Sequence, residues 1–302
     1  MRPDTSRETR AAALAARAEP AGRSVVTRPS APRTVIEPPR RWGVLDVGEL
    51  WRYRELFYFL VWRDLKVRYK QTVIGGAWAV LQPLVTMVVF SIVFARLLNV
   101  PSEGIPYPVF SYAALLPWTF FAGAVARAGN SLIADPNLLS KVYFPRISLP
   151  LAAVSSVLVD FAVAFVILLG LMAYYGIVPG VAVLALPLFV LLAFVTTAGV
   201  GLWLSSLNVK YRDINYVIPL LVQFWLFLTP VAYPTTLVPD AWRFVYSLNP
   251  MVGVVDGFRW ALLNTGRVEV ETMLVSAVAA IFLCAGGVLY FRRTEHEFAD
   301  VV

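Results

Sequence analysis

The sequence predicts an all-α polytopic membrane protein with six transmembrane helices. Of the 302 residues, 59% are hydrophobic and only 15% are charged, and the mean hydropathy is +0.69. A soluble domain is nearer half apolar and a quarter charged. The apolar residues also concentrate in runs long enough to cross a bilayer, which takes about 20 residues. This pattern excludes a soluble enzyme, a DNA-binding domain and a disordered scaffold.

Residues 1–42 are predicted to be a disordered, basic cytoplasmic tail. The segment up to Arg41 has no aromatic residue and is rich in Pro, Arg and Ala, so it cannot bury enough apolar surface to offset its ordering entropy. No apolar stretch follows the charges, as a signal peptide would require. A tail that binds anionic lipid headgroups and a simply solvated tail both fit this composition.

Residues 43–72 are predicted to form an amphipathic interface helix in the headgroup plane. Apolar side chains recur at helical spacing, with charged side chains mostly between them. The apolar positions are Leu50, Tyr53, Leu56, Phe57, Leu60 and Val61. A basic collar that includes one tyrosine directly precedes the first long apolar run. Its residues are Arg63, Lys66, Arg68, Tyr69 and Lys70.

Six apolar segments within residues 73–293 are each long enough to cross a hydrocarbon core of ~30 Å. They are about 74–100, 107–128, 147–176, 181–207, 214–233 and 270–291. The third is long, so we expect it to be tilted or to extend into the cytoplasm.

The distribution of Lys and Arg predicts the orientation of these spans. Fifteen of the 26 basic residues precede the first span, whereas the connections predicted to lie outside contain only Arg243, Arg259 and Arg267. We therefore expect a multi-pass protein of the plasma (inner) membrane with both termini, including residues 294–302, in the cytoplasm. The net charge of +7 is then mainly a topology signal, and we expect no nucleic-acid partner.

The segment 234–266, between spans five and six, is predicted to form short re-entrant helices. By the charge rule it lies outside, yet it is rich in aromatic and apolar residues and is divided by prolines. Non-spanning backbone at membrane depth is stable only where protein or a water-filled cavity covers it. An outer gate and an interfacial aromatic anchor both fit this segment.

The sequence lacks the groups that most enzymes use. The single cysteine, Cys284, lies in an apolar run, and the single histidine, His296, lies close to the C-terminus. This inventory argues against a cysteine zinc site and a Ser-His-Asp triad. None of the four lysines follows a glycine, so the chain has no phosphate-binding loop for ATP. We therefore expect a transport subunit without catalytic residues, metal or cofactor.

Ionisable and aromatic side chains within the spans are candidates for a transport pathway. Asp160 lies about midway along span three, where the alternative is a hydrogen bond to a polar partner such as Ser155 or Ser156, or to one from another span. Aromatic faces suit sugar rings, although aromatic residues also serve in packing and interface belts. The candidate channel or gate residues are Tyr112, Trp118, Asp160, Phe224, Trp225, Tyr233, Trp242, Phe258 and Trp260.

Three stretches, taken in order, resemble the membrane subunits of ABC transporters that export polysaccharides such as O-antigen, teichoic acid or cell-wall glycans. They are 63–84 (RDLKVRYKQTVIGGAWAVLQPL), 135–150 (DPNLLSKVYFPRISLP) and 249–263 (NPMVGVVDGFRWALL). The resemblance covers about residues 47–293. It implies a homodimer with two copies of a separate ATPase that binds ATP and Mg²⁺. The implied cargo is a polyprenyl-diphosphate-linked glycan, moved through a channel between the two protomers.

The resemblance also implies a coupling helix at about 135–146 that docks on the ATPase. A helix cap at Asp135 or Asn137 and an apolar face on the short helix are compatible with it, as is an ordinary interfacial loop. The predicted coupling residues are Asp135, Asn137, Leu138, Leu139, Lys141, Val142, Tyr143, Phe144 and Arg146.

Three other functions fit the sequence less well. An ABC exporter of drugs or small lipids shares the six-span plan. A membrane-embedded glycan-lipid transferase would need a catalytic pocket with carboxylates, and no cytoplasmic loop between the predicted spans exceeds about 20 residues. A purely structural membrane subunit is the third alternative.

Overall fold

The computed structural model describes residues 47–70, 77–135, 138, 144–264 and 269–298, and all regular structure in these residues is helical. The all-α prediction is therefore confirmed for this part of the chain. The predicted tail 1–42 and most of the predicted coupling segment lie outside the described residues.

Ten α-helices follow one another in the described residues. Two precede the first span, namely α1 (Val47–Arg52) and α2 (Arg54–Lys70), and α2 is the predicted interface helix. The long helices are α3 (Ala77–Phe90), which continues as a π-helix (Ser91–Leu97), α4 (Tyr107–Ala134), α5 (Ser148–Tyr174), α6 (Leu186–Lys210) and α10 (Val270–Thr294). Between α6 and α10 lie the shorter helices α7 (Ile214–Phe227), α8 (Asp240–Ser247) and α9 (Pro250–Leu263). Short 3-10 turns occur at Val181–Ala185, Thr235–Leu237 and Glu295–Glu297.

Five helical segments of the described chain are long and apolar enough to cross a membrane. They correspond to predicted spans one, two, three, four and six. The predicted fifth span, 214–233, contains the 14-residue helix α7, which is about 21 Å long and thus shorter than a hydrocarbon core of ~30 Å. The helix ends at Phe227 and Pro230 follows in the turn, where it has no N–H to continue the helical pattern. The count of six spans stays a prediction.

The second span is longer than the sequence analysis expects. Helix α4 continues to Ala134 instead of ending near residue 128. Arg127 lies within this helix. A single charged side chain does not interrupt helical hydrogen bonding, and hydropathy alone had set the expected boundary.

The centre of the bundle is α4, which is buried along most of its length and packs against α3, α5, α6 and α9. Helices α6 and α10 pack along each other with their backbones in close contact. A Cβ atom on Gly199 would lie 2.7 Å from the backbone of Cys284, and one on Gly287 would lie 2.5 Å from the carbonyl oxygen of Gly199. Small residues allow this kind of approach between helices in membranes.

A second apolar cluster, here called the end cluster, joins the interface helix to one end of the bundle. It combines residues of α2, α4, α5, α6 and α10 with others beside these helices. Its buried members are Leu60, Leu132, Phe144, Ile147, Leu149, Ala152, Leu202, Val209, Val288, Phe291 and Phe298.

The predicted apolar face of α2 packs on protein. Tyr53, Leu56, Phe57 and Val61 lie against the end cluster, and Leu60 is buried within it. The exposed aromatic side chains of α1 and α2 are a different set, namely Trp51, Tyr58, Phe59 and Trp62. The apolar periodicity in the sequence of α2 therefore reflects the packing of this helix on the bundle. Its position in the headgroup plane stays a prediction.

Candidate functional site

The predicted coupling region begins where α4 meets the interface helix. Asp135 follows the last residue of α4, and its carboxylate forms an ion pair with Arg63 of α2 at 2.6 Å. On the other side of the connection, Arg146 donates a hydrogen bond to the backbone carbonyl of Glu295 at 2.5 Å. The two ends of the α4–α5 connection are thus attached to α2 and to the segment that follows α10.

Apolar contacts hold the same connection in place. Phe144 is buried in the end cluster, and Leu138 packs against that cluster from a partly buried position. Five predicted coupling residues lie outside the described residues: Asn137, Leu139, Lys141, Val142 and Tyr143. The interface helix and the described ends of the connection therefore form one packed unit.

Asp160 contacts the last turn of the interface helix. Its carboxylate pairs with the guanidinium of Arg68 and accepts a hydrogen bond from the Tyr69 hydroxyl. Arg68 also donates to the Ser156 hydroxyl at 3.0 Å. Burial, and then the hydrogen bond to Asp160, raise the pKa of the Tyr69 phenol, so Tyr69 stays protonated and remains a donor.

This contact lies well along α5, beyond its first turns. Asp160 is twelve residues beyond the start of α5 at Ser148, which corresponds to about 18 Å along the axis. The polar partners of Asp160 are therefore on the interface helix, a location that the sequence analysis did not anticipate. A place for Asp160 in a channel stays a prediction.

The remaining collar residues face outward. Lys66 and Lys70 are exposed, and the Lys66 ammonium lies 6.0 Å from the centroid of the Trp62 ring. The collar thus divides into Arg63, Arg68 and Tyr69, which bind protein, and two lysines that are open to the surroundings.

The stretch 249–263 contacts the end of α7 through its first residue. The Asn249 side chain accepts hydrogen bonds from the Trp225 indole N–H at 2.8 Å and from the Met251 backbone N–H at 3.0 Å. The second of these caps the first turn of α9. The Asn249 amide also donates to the backbone carbonyl of Leu228 at 2.9 Å. One side chain therefore joins α7, the turn after it and α9.

Arg259 binds the same turn from inside the bundle. Its side chain is 4% exposed and donates to the carbonyls of Pro230 at 2.6 Å, Val231 at 2.8 Å and Tyr233 at 3.1 Å. The guanidinium carbon lies 3.6 Å from the centroid of the Phe110 ring, a cation–π arrangement. The planar fork of five N–H donors matches several carbonyls at once. Arg259 thus fixes the segment after α7 against α4 and α9.

The aromatic gate candidates differ in exposure. Tyr112, Trp118 and Phe258 are buried in the core of the protomer. Phe224 and Trp242 are each 63% exposed. The partly buried candidates are Trp225, Tyr233 and Trp260. Only Phe224 and Trp242 present most of their surface outward, and a channel position for any of the eight stays a prediction.

The predicted outer segment contains helices α8 and α9, and α9 is covered by protein. It packs against α4, α6 and α10, and a re-entrant position in the membrane stays a prediction. The sequence analysis singled out this stretch but missed Asn249 and Arg259 as its fixing residues. The available signal was a cation in a largely apolar helix whose other charged residue is Asp256, since a cation in such a setting needs acceptors.

The chain is similar to known transport proteins over most of its length. Residues 55–263 match the family described as ABC-2 type transporter. The chain is 31% identical to the O-antigen export system permease protein RfbA of Myxococcus xanthus, over 85% of this chain and 98% of that protein. It is 27% identical to the RfbA permease of Klebsiella pneumoniae over 82% and 95% of the two chains, and 23% identical to the polysialic acid transport protein KpsM of Escherichia coli over 77% and 91%.

These relatives confirm the resemblance that the three stretches carry. The family match spans the interface helix, the α4–α5 connection and α9, so it includes the elements described above. Together with the five helices long enough to cross a membrane, the similarity shows that this chain is a multi-pass membrane protein that belongs to the ABC-2 type transporter family.

Proposed function

We propose that this chain is the membrane subunit of an ATP-driven exporter that moves a polyprenyl-diphosphate-linked polysaccharide across the plasma membrane. The observation that carries the proposal is the similarity to an O-antigen export permease over 98% of that protein's length. ATP and Mg²⁺ are bound by a separate ATPase, which agrees with the missing phosphate-binding loop in the sequence. Two copies of each subunit make up the transporter.

The end cluster supports the coupling part of the proposal. A force applied to the α4–α5 connection would reach α2 through the Arg63–Asp135 pair and through the buried Leu60 and Phe144. Packed interiors transmit displacement because they have few voids to absorb it. The ATPase would therefore move the interface helix and the ends of α4 and α5 together.

The exposed face of α7 supports a route between two protomers. Tyr216, Leu220, Phe224 and Phe227 are between 53% and 83% exposed, and their spacing places them along one side of the helix. In a homodimer, such a face would meet either the second copy or the passing glycan, and its aromatic rings suit the apolar faces of sugars.

Conditional depletion of the chain tests the proposed function, with extraction and sizing of lipid-linked glycans as the readout. Export predicts that full-length lipid-linked polymer accumulates on the cytoplasmic side. Shortened or missing polymer would instead assign the chain to synthesis. An unchanged glycan pool, in cells that lack other glycan exporters, would favour an exporter of drugs or small lipids.

The coupling assignment has a separate test. Leu138→Asp combined with Tyr143→Asp is expected to abolish export while the protein still inserts into the membrane. Since Leu138 packs against the end cluster, Leu138→Ala serves as the control for lost packing and should retain most export. Normal export by the double variant would exclude this segment as the coupling helix.

A further inference from the structure

An exposed arginine lies inside helix α4. Arg127 is seven residues from the end of the helix at Ala134, or about 10 Å along the axis. Its side chain is exposed, and within the described part of the chain it makes no hydrogen bond or ion pair. A cation at membrane depth costs several kcal/mol unless it faces water or an anion. The position therefore calls for a negatively charged partner.

The carboxylates near Arg127 already have other partners. Arg127 lies within electrostatic range of Arg68, Asp160 and Asp64, and Asp64 forms an ion pair with Arg63 at 3.0 Å. Asp160 already pairs with Arg68 and accepts a hydrogen bond from Tyr69, so its charge is shared among partners. Each of the two carboxylates therefore pairs with another arginine, and the open donors belong to Arg127.

We propose that Arg127, with Arg68 behind it, forms a binding site for the phosphate of a membrane lipid. A guanidinium offers N–H donors in a fork that fits phosphate oxygens in a bidentate manner. The exposed Arg127 side chain lies about 10 Å from the end of α4 that adjoins the interface helix, so a lipid headgroup would reach it from the adjoining leaflet. Asp160 holds Arg68 in place and limits the positive charge.

Two lipids carry this chemistry. One is the diphosphate carrier of the glycan, and this version rests on the proposed function. The other is an ordinary anionic phospholipid, which needs no cargo assignment. Both use the same phosphate–guanidinium contact, and competition between them distinguishes the two sources.

The test measures binding of a fluorescent polyprenyl diphosphate to the purified full-length chain in detergent. Arg127→Gln is expected to lower the affinity at least tenfold, because it removes a charge-assisted, bidentate contact. Arg127→Lys keeps the charge but loses the forked donors of the guanidinium, so its affinity should lie between those of the wild type and Arg127→Gln. The matched control is Arg96→Gln, which removes an exposed arginine from the π-helix at the other end of span one and should leave binding unchanged.

A second variant predicts a change of opposite sign. Asp160→Asn removes the negative charge beside the site and should tighten binding several-fold. A purely structural disturbance would weaken binding in both variants. Equal binding by wild type and Arg127→Gln would overturn the proposal, as would conversion of a dimer into monomers by Arg127→Gln, since Arg127 would then pair with the second copy.

Competition identifies the lipid. If phosphatidylglycerol fails to displace the polyprenyl diphosphate while the corresponding alcohol does not bind, the site takes the carrier diphosphate. If phosphatidylglycerol displaces it at equal concentration, the site takes phospholipid headgroups in general. The assay contains no ATPase and no glycan export, so its result is independent of the depletion experiment that tests the proposed function.

Discussion

Replacement of Arg259 by methionine is expected to release the segment after α7 from the bundle. The arginine side chain is 4% exposed and donates hydrogen bonds to the carbonyls of Phe110, Pro230, Val231 and Tyr233. Methionine is of similar length and apolar, so it fills much of the space but offers no donor. The carbonyls would have to find water, which requires the segment to move outward.

The magnitude follows from the hydrogen-bond lengths. The bonds to Pro230 and Val231 are 2.6 and 2.8 Å long, whereas those to Tyr233 and Phe110 are 3.1 and 3.4 Å. A hydrogen bond to a charged group contributes about 1.5–3 kcal/mol, so the two short ones give about 3–6 kcal/mol. Removing a buried charge recovers part of its desolvation cost. A net loss of about 3–4 kcal/mol corresponds to a roughly 100- to 1000-fold increase in opening.

Hydrogen exchange measures that opening directly, because amides exchange from locally open states. In detergent, the hydrogen-bonded amides of Leu228, Thr229 and Val231 should exchange roughly 100- to 1000-fold faster in Arg259→Met, as the estimated free-energy loss requires. The matched control is Arg243→Met in α8, whose ion pairs with Asp240 and Glu269 lie at the surface and contribute only about 0–1 kcal/mol. Unchanged exchange in Arg259→Met would refute the view that this arginine holds the segment.

Two further variants test the packing of the helices. Leu60→Ala, at a residue only 1% exposed, should destabilise the contact of α2 with the end cluster by about 2–5 kcal/mol and accelerate proteolysis of α2, whereas Trp62→Ala, at an exposed position, should not. Gly199→Ala places a Cβ 2.7 Å from the Cys284 backbone and should lower the thermal midpoint in detergent at a cost of about 1–3 kcal/mol. Its control, Gly170→Ala, meets nothing within 4 Å and should be neutral or stabilising by about 0.5–1 kcal/mol. Equal thermal midpoints for Gly199→Ala and Gly170→Ala would show that α6 and α10 can move apart without a loss of stability.

The long spans could be predicted from the sequence because their signal is local. A run of apolar residues must be helical in a membrane whatever its neighbours are, so the helices over 148–174 and 270–294 were expected. Periodicity similarly identified the packed face of α2 around Leu60. It could not identify the surface against which that face packs, because the end cluster is assembled from five helices that are distant in sequence.

The shorter helices depend on distant partners and were harder to predict. The segment 214–233 is apolar enough for a span, yet its last residues form a turn that Asn249 and Arg259 bind through backbone carbonyls. Hydropathy counts side chains and does not detect a donor that satisfies backbone groups from another helix. The Asp160 contact is similar, since its partners Arg68 and Tyr69 lie more than 90 residues away.

The charged residues within the long helices and α9 differ in how they are stabilised. The Arg259 guanidinium contacts carbonyl acceptors and an aromatic ring, so its charge stabilises the structure. Asp160 has two donors from the interface helix, so it links that helix to α5 and would transmit movement between them. Arg127 has open donors and an exposed surface. In the sequence all three look alike, since each is a charged residue among apolar ones. Only their partners in the structure distinguish a charge that stabilises the fold from one that is available to bind a ligand.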